Sequence, residues 1–133
     1  MSAYLDRAHE LRESTDFHYN CAQAVLVPFA EKAGMSLEQA CAVAQAFGGG
    51  MQTGNVCGAI TGGLMALGVM GIADRKTVMA FFRRMRENHD GLITCVDLLR
   101  KNAEAGGEKK PHCDAMVYES VALVTELLNE RGL

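Results

Sequence analysis

The chain has no tryptophan, few aromatic residues and only two prolines in 133 residues. None of its five cysteines forms a CxxC pair, which excludes the compact zinc-finger and thioredoxin patterns. No CxxCH is present for haem attachment, and there is no phosphate-binding loop, nucleophile elbow or HExxH. Charge of neither sign dominates: a net charge of -3 gives no electrostatic reason to expect nucleic acid. The densest basic stretch, Arg83-Arg84-Met85-Arg86, is followed by Glu87 and Asp90 and reads as a solvated helix face. No apolar signal-peptide core lies between Met1 and Glu13, so the expected location is the cytoplasm, where thiols are mostly reduced. An odd cysteine count there argues against a structural disulfide framework. Residues 48–73 carry no charge, yet glycines, Gln52, Thr53, Asn55 and Thr61 interrupt them. That reads as a central buried helix rather than a membrane span of about 20 apolar residues.

What is present favours helices. Alanine, leucine and methionine are plentiful, and no segment alternates with period two long enough to be a strand. The length suits one domain, residues 1–133, with a core large enough to fold without disulfides. The expected fold is all-α, a compact bundle of six to seven helices. Tyr4, Leu5, Ala8 and Leu11 predict a first helix over 2–12. A second runs over 21–33 and stops at Gly34, with a kink or break at Pro28. Ser36 with Gln39 is a capping-box pattern for a third, ending in Gly48-Gly49-Gly50. The loop 48–54 is expected to be the most flexible connection. A fourth helix covers 56–71. Asp74 caps a fifth to about His89, Thr94 caps a short sixth, and residues 102–110 form a polar loop. Pro111 opens the last helix, which runs to about Arg131.

Four cysteines fall where helices are predicted to begin. Asn20 precedes Cys21, Asn55 stands two before Cys57, Thr94 precedes Cys95, and Pro111 stands two before Cys113. Partial positive charge and unpaired N–H groups at a helix N-terminus favour thiolates, so lowered pKa values and metal or redox chemistry are expected there. The alternative is ordinary buried cysteines, as free cysteine is among the most buried residue types. Cys41, mid-helix between Ala40 and Ala42, reads as packing. Gly58 and Gly62, and Ala59 and Gly63, are spaced four apart, which lets another backbone approach closely. His112 beside Cys113 and His18 near Cys21 read as loop histidines before ligands. Met51, Met65, Met70, Met79, Met85 and Met116 read as core filler, and Asp97, Asp114 and Glu119 as surface charges.

The motif Cys57-Gly58-Ala59-Ile60-Thr61-Gly62, approached by Phe47-Gly48-Gly49-Gly50-Met51, resembles the CGAxxG centre of the C_GCAxxG_C_C family of redox-active proteins. Cys21 in Asn20-Cys21-Ala22-Gln23, Cys95 in Thr94-Cys95-Val96-Asp97, and Cys113 match that family's other cysteines in order, spacing and flanks. The resemblance spans residues 17–128 and gives Cys41 no role. It implies redox activity, and similarity to part of a split-Soret cytochrome associated with an iron–sulfur centre supports four-thiolate ligation.

Three functions compete. In the first, Cys21, Cys57, Cys95 and Cys113 bind an iron–sulfur cluster, [2Fe–2S], for electron transfer with an unidentified redox partner protein. In the second, two of the cysteines cycle as a metal-free dithiol, with Cys57 the redox thiol because Gly58 leaves its sulfur accessible. In the third, a non-catalytic helical domain holds structural zinc or no metal. The first two describe a redox protein rather than a stand-alone enzyme. A homodimer is also expected, because the glycine-rich fourth helix and the many apolar faces exceed what one core needs.

Overall fold

The computed structural model describes residues 2–133. Among the described residues seven α-helices make the fold: α1 (Ala3–Glu13), α2 (Cys21–Lys32), α3 (Leu37–Ala44), α4 (Gly58–Val69), α5 (Arg75–Asn88), α6 (Cys95–Glu104) and α7 (Lys109–Glu130). Among the described residues there is no strand, only an isolated antiparallel bridge between Val56 and Thr94. The all-α expectation therefore holds. None of the helices among those residues is long and apolar enough to cross a membrane.

Two helices form the centre. Helix α2 is buried from Ala22 to Ala30, and it starts with a complete capping box between Asn20 and Gln23. It does not break at Pro28, whose ring is buried in the core. Packing on every side outweighs a lost helical bond that costs about 3 kcal/mol in an exposed helix. Helix α4 lies against α2 because its glycines remove the side chains that would hold the two apart. A Cβ at Gly62 would stand 2.8 Å from the Ala22 carbonyl oxygen and 3.0 Å from its Cα. On the next face, a Cβ at Gly63 would meet the Phe81 ring at 2.5 Å and Ser120 Oγ at 2.6 Å. The buried Ser120 hydroxyl instead donates to the Ala59 carbonyl at 2.7 Å, which pins α7 to α4. Both small-residue faces of α4 are thus used inside one chain, so they no longer argue for a second copy.

Several boundaries differ from expectation. The third helix stops at Ala44 and continues as a tight 3₁₀ turn, Gln45–Phe47. The sixth runs on to Glu104, so the predicted polar loop shrinks to 105–108. Gly106 at φ 82° lets its own N–H reach Ala103 O and the Gly107 N–H reach Asn102 O, which closes that helix end. The last helix begins two residues before Pro111. A proline is tolerated in the first turn because its missing N–H has no partner there anyway.

The loop 48–54 is tightly built rather than slack. Residues 49–52 all have left-handed backbone, including Met51 (φ 59°) and Gln52 (φ 60°). Each of those two costs roughly 1 kcal/mol in that conformation. The turn is held by Asn55 N–H and Thr53 Oγ1, which both donate to Gly50 O, at 3.0 and 3.1 Å. Gly50 is buried, and a Cβ there would fall 2.4 Å from the Asn55 carbonyl oxygen.

Candidate functional site

The four motif cysteines arrive from four directions. Cys21 is the first residue of α2, held by the Asn20 cap. Cys95 is the first residue of α6, where Thr94 Oγ1 accepts from the Asp97 N–H. Cys57 is itself the N-cap residue of α4, so Asn55 does not cap that helix. The Asn55 side chain accepts from Val56 N–H instead, and the Asn55 backbone carbonyl accepts from Cys95 N–H at 2.7 Å. With Cys57 N–H donating to Ile93 O at 2.8 Å, the segments before α4 and α6 pair antiparallel. Cys57 and Cys95 then stand diagonally on one face of that pairing. Cys113 lies one turn inside α7, because that helix begins at Lys109.

All four line one cavity of about 350 Å³. Leu98, Leu99 and Met116 supply apolar wall, and the ionisable side chains on it besides the cysteines are Arg12, His18, Lys109, Lys110 and His112. The wall is therefore basic as well as apolar. Cys41 is on α3 and away from this cavity; its carbonyl accepts from Gln23 Nε2 at 3.0 Å.

Arg12 carries no signal in the motif, yet it is central to the site. Its side chain is 4% exposed, and Nε donates to Asp114 Oδ1 at 2.6 Å while Nη1 donates to Tyr19 O at 2.8 Å. One side chain thus ties the residue after Cys113 to the segment just before Cys21. Lys110 Nζ adds bonds to Asp114 and to Arg12 O. A signal outside the motif was present: Arg12 follows Leu5 and Ala8 at helical spacing on the apolar face of α1. Asp114 is consequently no free surface charge. Burial works against its ionisation, but Arg12 and Lys110 hold its pKa below the usual carboxylate range. Glu119 is engaged too, accepting from Asn88 and pairing with His89 at 2.9 Å. His112 sits on α7 rather than in a loop, and burial lowers its pKa, with His89 adding to the effect.

The expectation of uniformly lowered thiol pKa values is corrected. Burial pushes the Cys57 thiol up to about 11, although the N–H groups of Ala59 and Ile60 at the start of α4 pull the other way. Burial also raises Cys95. Cys21 and Cys113 influence each other most: the Cys21 thiol is raised, chiefly by its neighbour Cys113 and by burial, while Cys113 is lowered, chiefly by Cys21, with Arg12 and Lys109 assisting. Access follows the same pattern. Gly58 does not open space at Cys57, which is 7% exposed. The room left by its missing side chain is taken by Phe47 O, at 2.9 Å from where a Cβ would lie, and by Ala22 and Cys21.

Residues 19–127 match the family model described as putative redox-active protein (C_GCAxxG_C_C), a span that contains all four motif cysteines. The chain belongs to this family. No curated protein and no solved structure matches it. Arg12 lies outside the matched span, although it walls the cavity that the family cysteines form.

For a metal, the donor chemistry and the spacing point in different directions. Four thiolates around one zinc would each lie about 2.3 Å from the ion. Among the described residues no group of three or more His, Cys, Asp or Glu is drawn in closely enough to hold one ion.

Proposed function

We propose that this redox-family protein transfers electrons through an iron–sulfur cluster, [2Fe–2S], held by Cys21, Cys57, Cys95 and Cys113 in this cavity. The observation that carries the reading is the convergence of four thiols from four helices on one basic, partly apolar cavity of about 350 Å³. When bound, such a cluster supplies one-electron chemistry whose potential depends on net charge, hydrogen bonds to sulfur and exposure. The chain's own residues address each of these. Arg12, Lys109 and Lys110 offset the charge of four thiolates, and the first N–H groups of α4 face the Cys57 sulfur. Leu98, Leu99 and Met116 limit water. The partner is a redox protein that meets the cavity mouth.

A second reading, a metal-free dithiol couple, is favoured by one observation: Cys21 and Cys113 line the same cavity on segments that the Arg12 side chain ties together. Metal analysis separates the two. Anaerobically purified protein should be brown, with iron and acid-labile sulfide, and Cys57→Ser should lose both while Cys41→Ser keeps them. Wild-type protein with neither iron nor zinc, but with a reversible dithiol couple, would establish the second reading instead.

A further inference from the structure

We infer that the exposed face of α5 is an interaction surface for α1 of a second copy of this chain, so that two copies close into a symmetric pair. The inference does not depend on the redox reading above.

Helix α5 holds five of the 13 cationic side chains and one of the 16 carboxylates, although the chain's net charge is -3. At about 3.6 residues per turn, Phe82, Arg75, Arg86, Met79, Arg83 and Lys76 fall within an arc of roughly 120°, with Glu87 at its edge. All are exposed except Phe82, which is half-buried. Among the described residues, seven of the 13 cations meet a carboxylate within the chain. Of the six that do not, four are Arg75, Lys76, Arg83 and Arg86, all on this one face. Like charges along a helix face repel, so the face is complete only against a negative partner. Its other members suit a protein. Met79 stands 47% exposed in the middle, and the Arg86 guanidinium lies over the Phe82 ring at 5.1 Å. Arginine, methionine and aromatic residues are the types that protein interfaces enrich. A long polyanion such as nucleic acid would be opposed by the net charge of -3.

The chain carries an acidic face of matching spacing. Asp6, Glu10 and Glu13 on α1 are exposed and fall within roughly 60° of arc. Their i, i+4, i+7 spacing is that of Met79, Arg83 and Arg86. Neighbours within the chain hold them loosely. Glu10 is 3.6 Å from Arg7, which already makes two bonds to Glu31 at 2.9 and 3.1 Å. Glu13 meets only His9, at 3.2 Å, and both glutamates stay more than half exposed. The two faces also lie in a suitable relation. One groove runs between α1 and α7, walled by Leu5, Thr125 and Glu130. Another runs between α5 and α7, walled by Lys76, Arg83 and the same Glu130. Helices α1 and α5 thus flank one stretch of α7. A two-fold axis over that stretch sets each basic face on the other copy's acidic stripe, and the contact is made twice.

The test is sedimentation equilibrium on the full chain at micromolar concentration, kept reduced so that no cysteine cross-links two copies. At about 0.02 M salt the protein should sediment at twice the chain mass, and its dissociation constant should rise roughly tenfold or more by about 0.5 M, because salt screens exposed charges. Arg83→Glu combined with Arg86→Glu should be a monomer at low salt, and so should Glu10→Lys combined with Glu13→Lys. All four positions are exposed, and circular dichroism checks that the helices remain. Mixed in equal amounts, the two variants should form a mixed pair, because each contact then joins opposite charges again. A wild-type monomer at low salt would overturn the inference. So would a pair that survives both double substitutions, since its interface lies elsewhere, or a mass that climbs past two copies with concentration, since the faces then do not close. Loss of pairing in both variants with no rescue on mixing would show that the two faces do not meet.

Discussion

The two ends of the molecule use the same kind of ion pair for different purposes. Helices α4 and α7 both start at the cysteine cavity and lead away from it. At the cavity, Arg12 and Asp114 meet at 2.6 Å with side chains 4% and 23% exposed. At the far end, Arg131 bonds Asp74 and Arg84 bonds Glu130, with exposures between 24% and 48%. An exposed pair contributes little, because water screens it and both side chains lose freedom. A buried pair matters most when one member is removed, since the remaining charge then has no solvent to receive it. The far end is therefore a solvated rim, while the near end is a fixed electrostatic frame around sulfur.

The two ends should differ most in their response to losing the arginine. Arg12→Gln should destabilise the protein by about 3 kcal/mol, the low end for a broken buried pair, because Lys110 still reaches Asp114. Arg131→Gln at the far end should leave the urea midpoint nearly unchanged. If the two substitutions had equal effects, the cavity frame would be no different from the rim.

The next effect concerns the thiols, and it runs with pH. The folded-state pKa of Cys57 is raised from 9.0 to about 11 by burial. A thiol with a raised folded pKa contributes stability that is complete below pH 9 and lost as pH rises towards 11. Two units correspond to roughly 3 kcal/mol. Reduced, metal-free protein should lose about that much between about pH 8 and pH 11 in urea unfolding, and Cys57→Ser should flatten that part of the curve. A wild-type midpoint unchanged across this range would mean that the Cys57 sulfur is solvated.

Cys57 also marks the boundary of what the sequence could convey. Helix starts at Cys21 and Cys95 were legible because Asn20 and Thr94 are short-range signals that act within three residues. The close packing of α4 was legible because glycines spaced by four need no knowledge of the partner. The sign of the thiol shifts was not legible. It depends on how much of the fold closes over each sulfur, and at Cys57 burial outweighs the helix N-terminus. Arg12 was hidden for a related reason: it sits 102 residues from Asp114, and only the packing of α1 on α7 brings them together. Asn55 misled because a cap two residues early looks like a cap until the backbone pairing with Cys95 is seen.

Glycines give a smaller comparison along one helix. Gly62→Ala sets a methyl group against the backbone of Ala22, which has no rotamer with which to yield. Overpacking of this kind costs about 1–3 kcal/mol, partly offset by roughly 1 kcal/mol of better helix propensity. A net loss of about 1–2 kcal/mol is expected, with weaker iron retention, because α2 carries Cys21 and α4 follows directly on Cys57. A stabilised Gly62→Ala protein would mean that α2 and α4 have room to separate.

Gly68 sharpens that contrast at the other end of α4. It is exposed and helical, and a Cβ there would meet nothing within 4 Å. Gly68→Ala removes unfolded-state freedom without adding a contact, so it should stabilise the protein by about 0.4–1 kcal/mol. Iron content should stay at the wild-type level. The measurement is a pair of urea curves for Gly68→Ala and Gly62→Ala collected in parallel, where the two midpoints should move in opposite directions. Should Gly68→Ala also destabilise, another surface must cover this stretch of α4 in solution, and a second copy of the chain would be the first partner to seek by sedimentation.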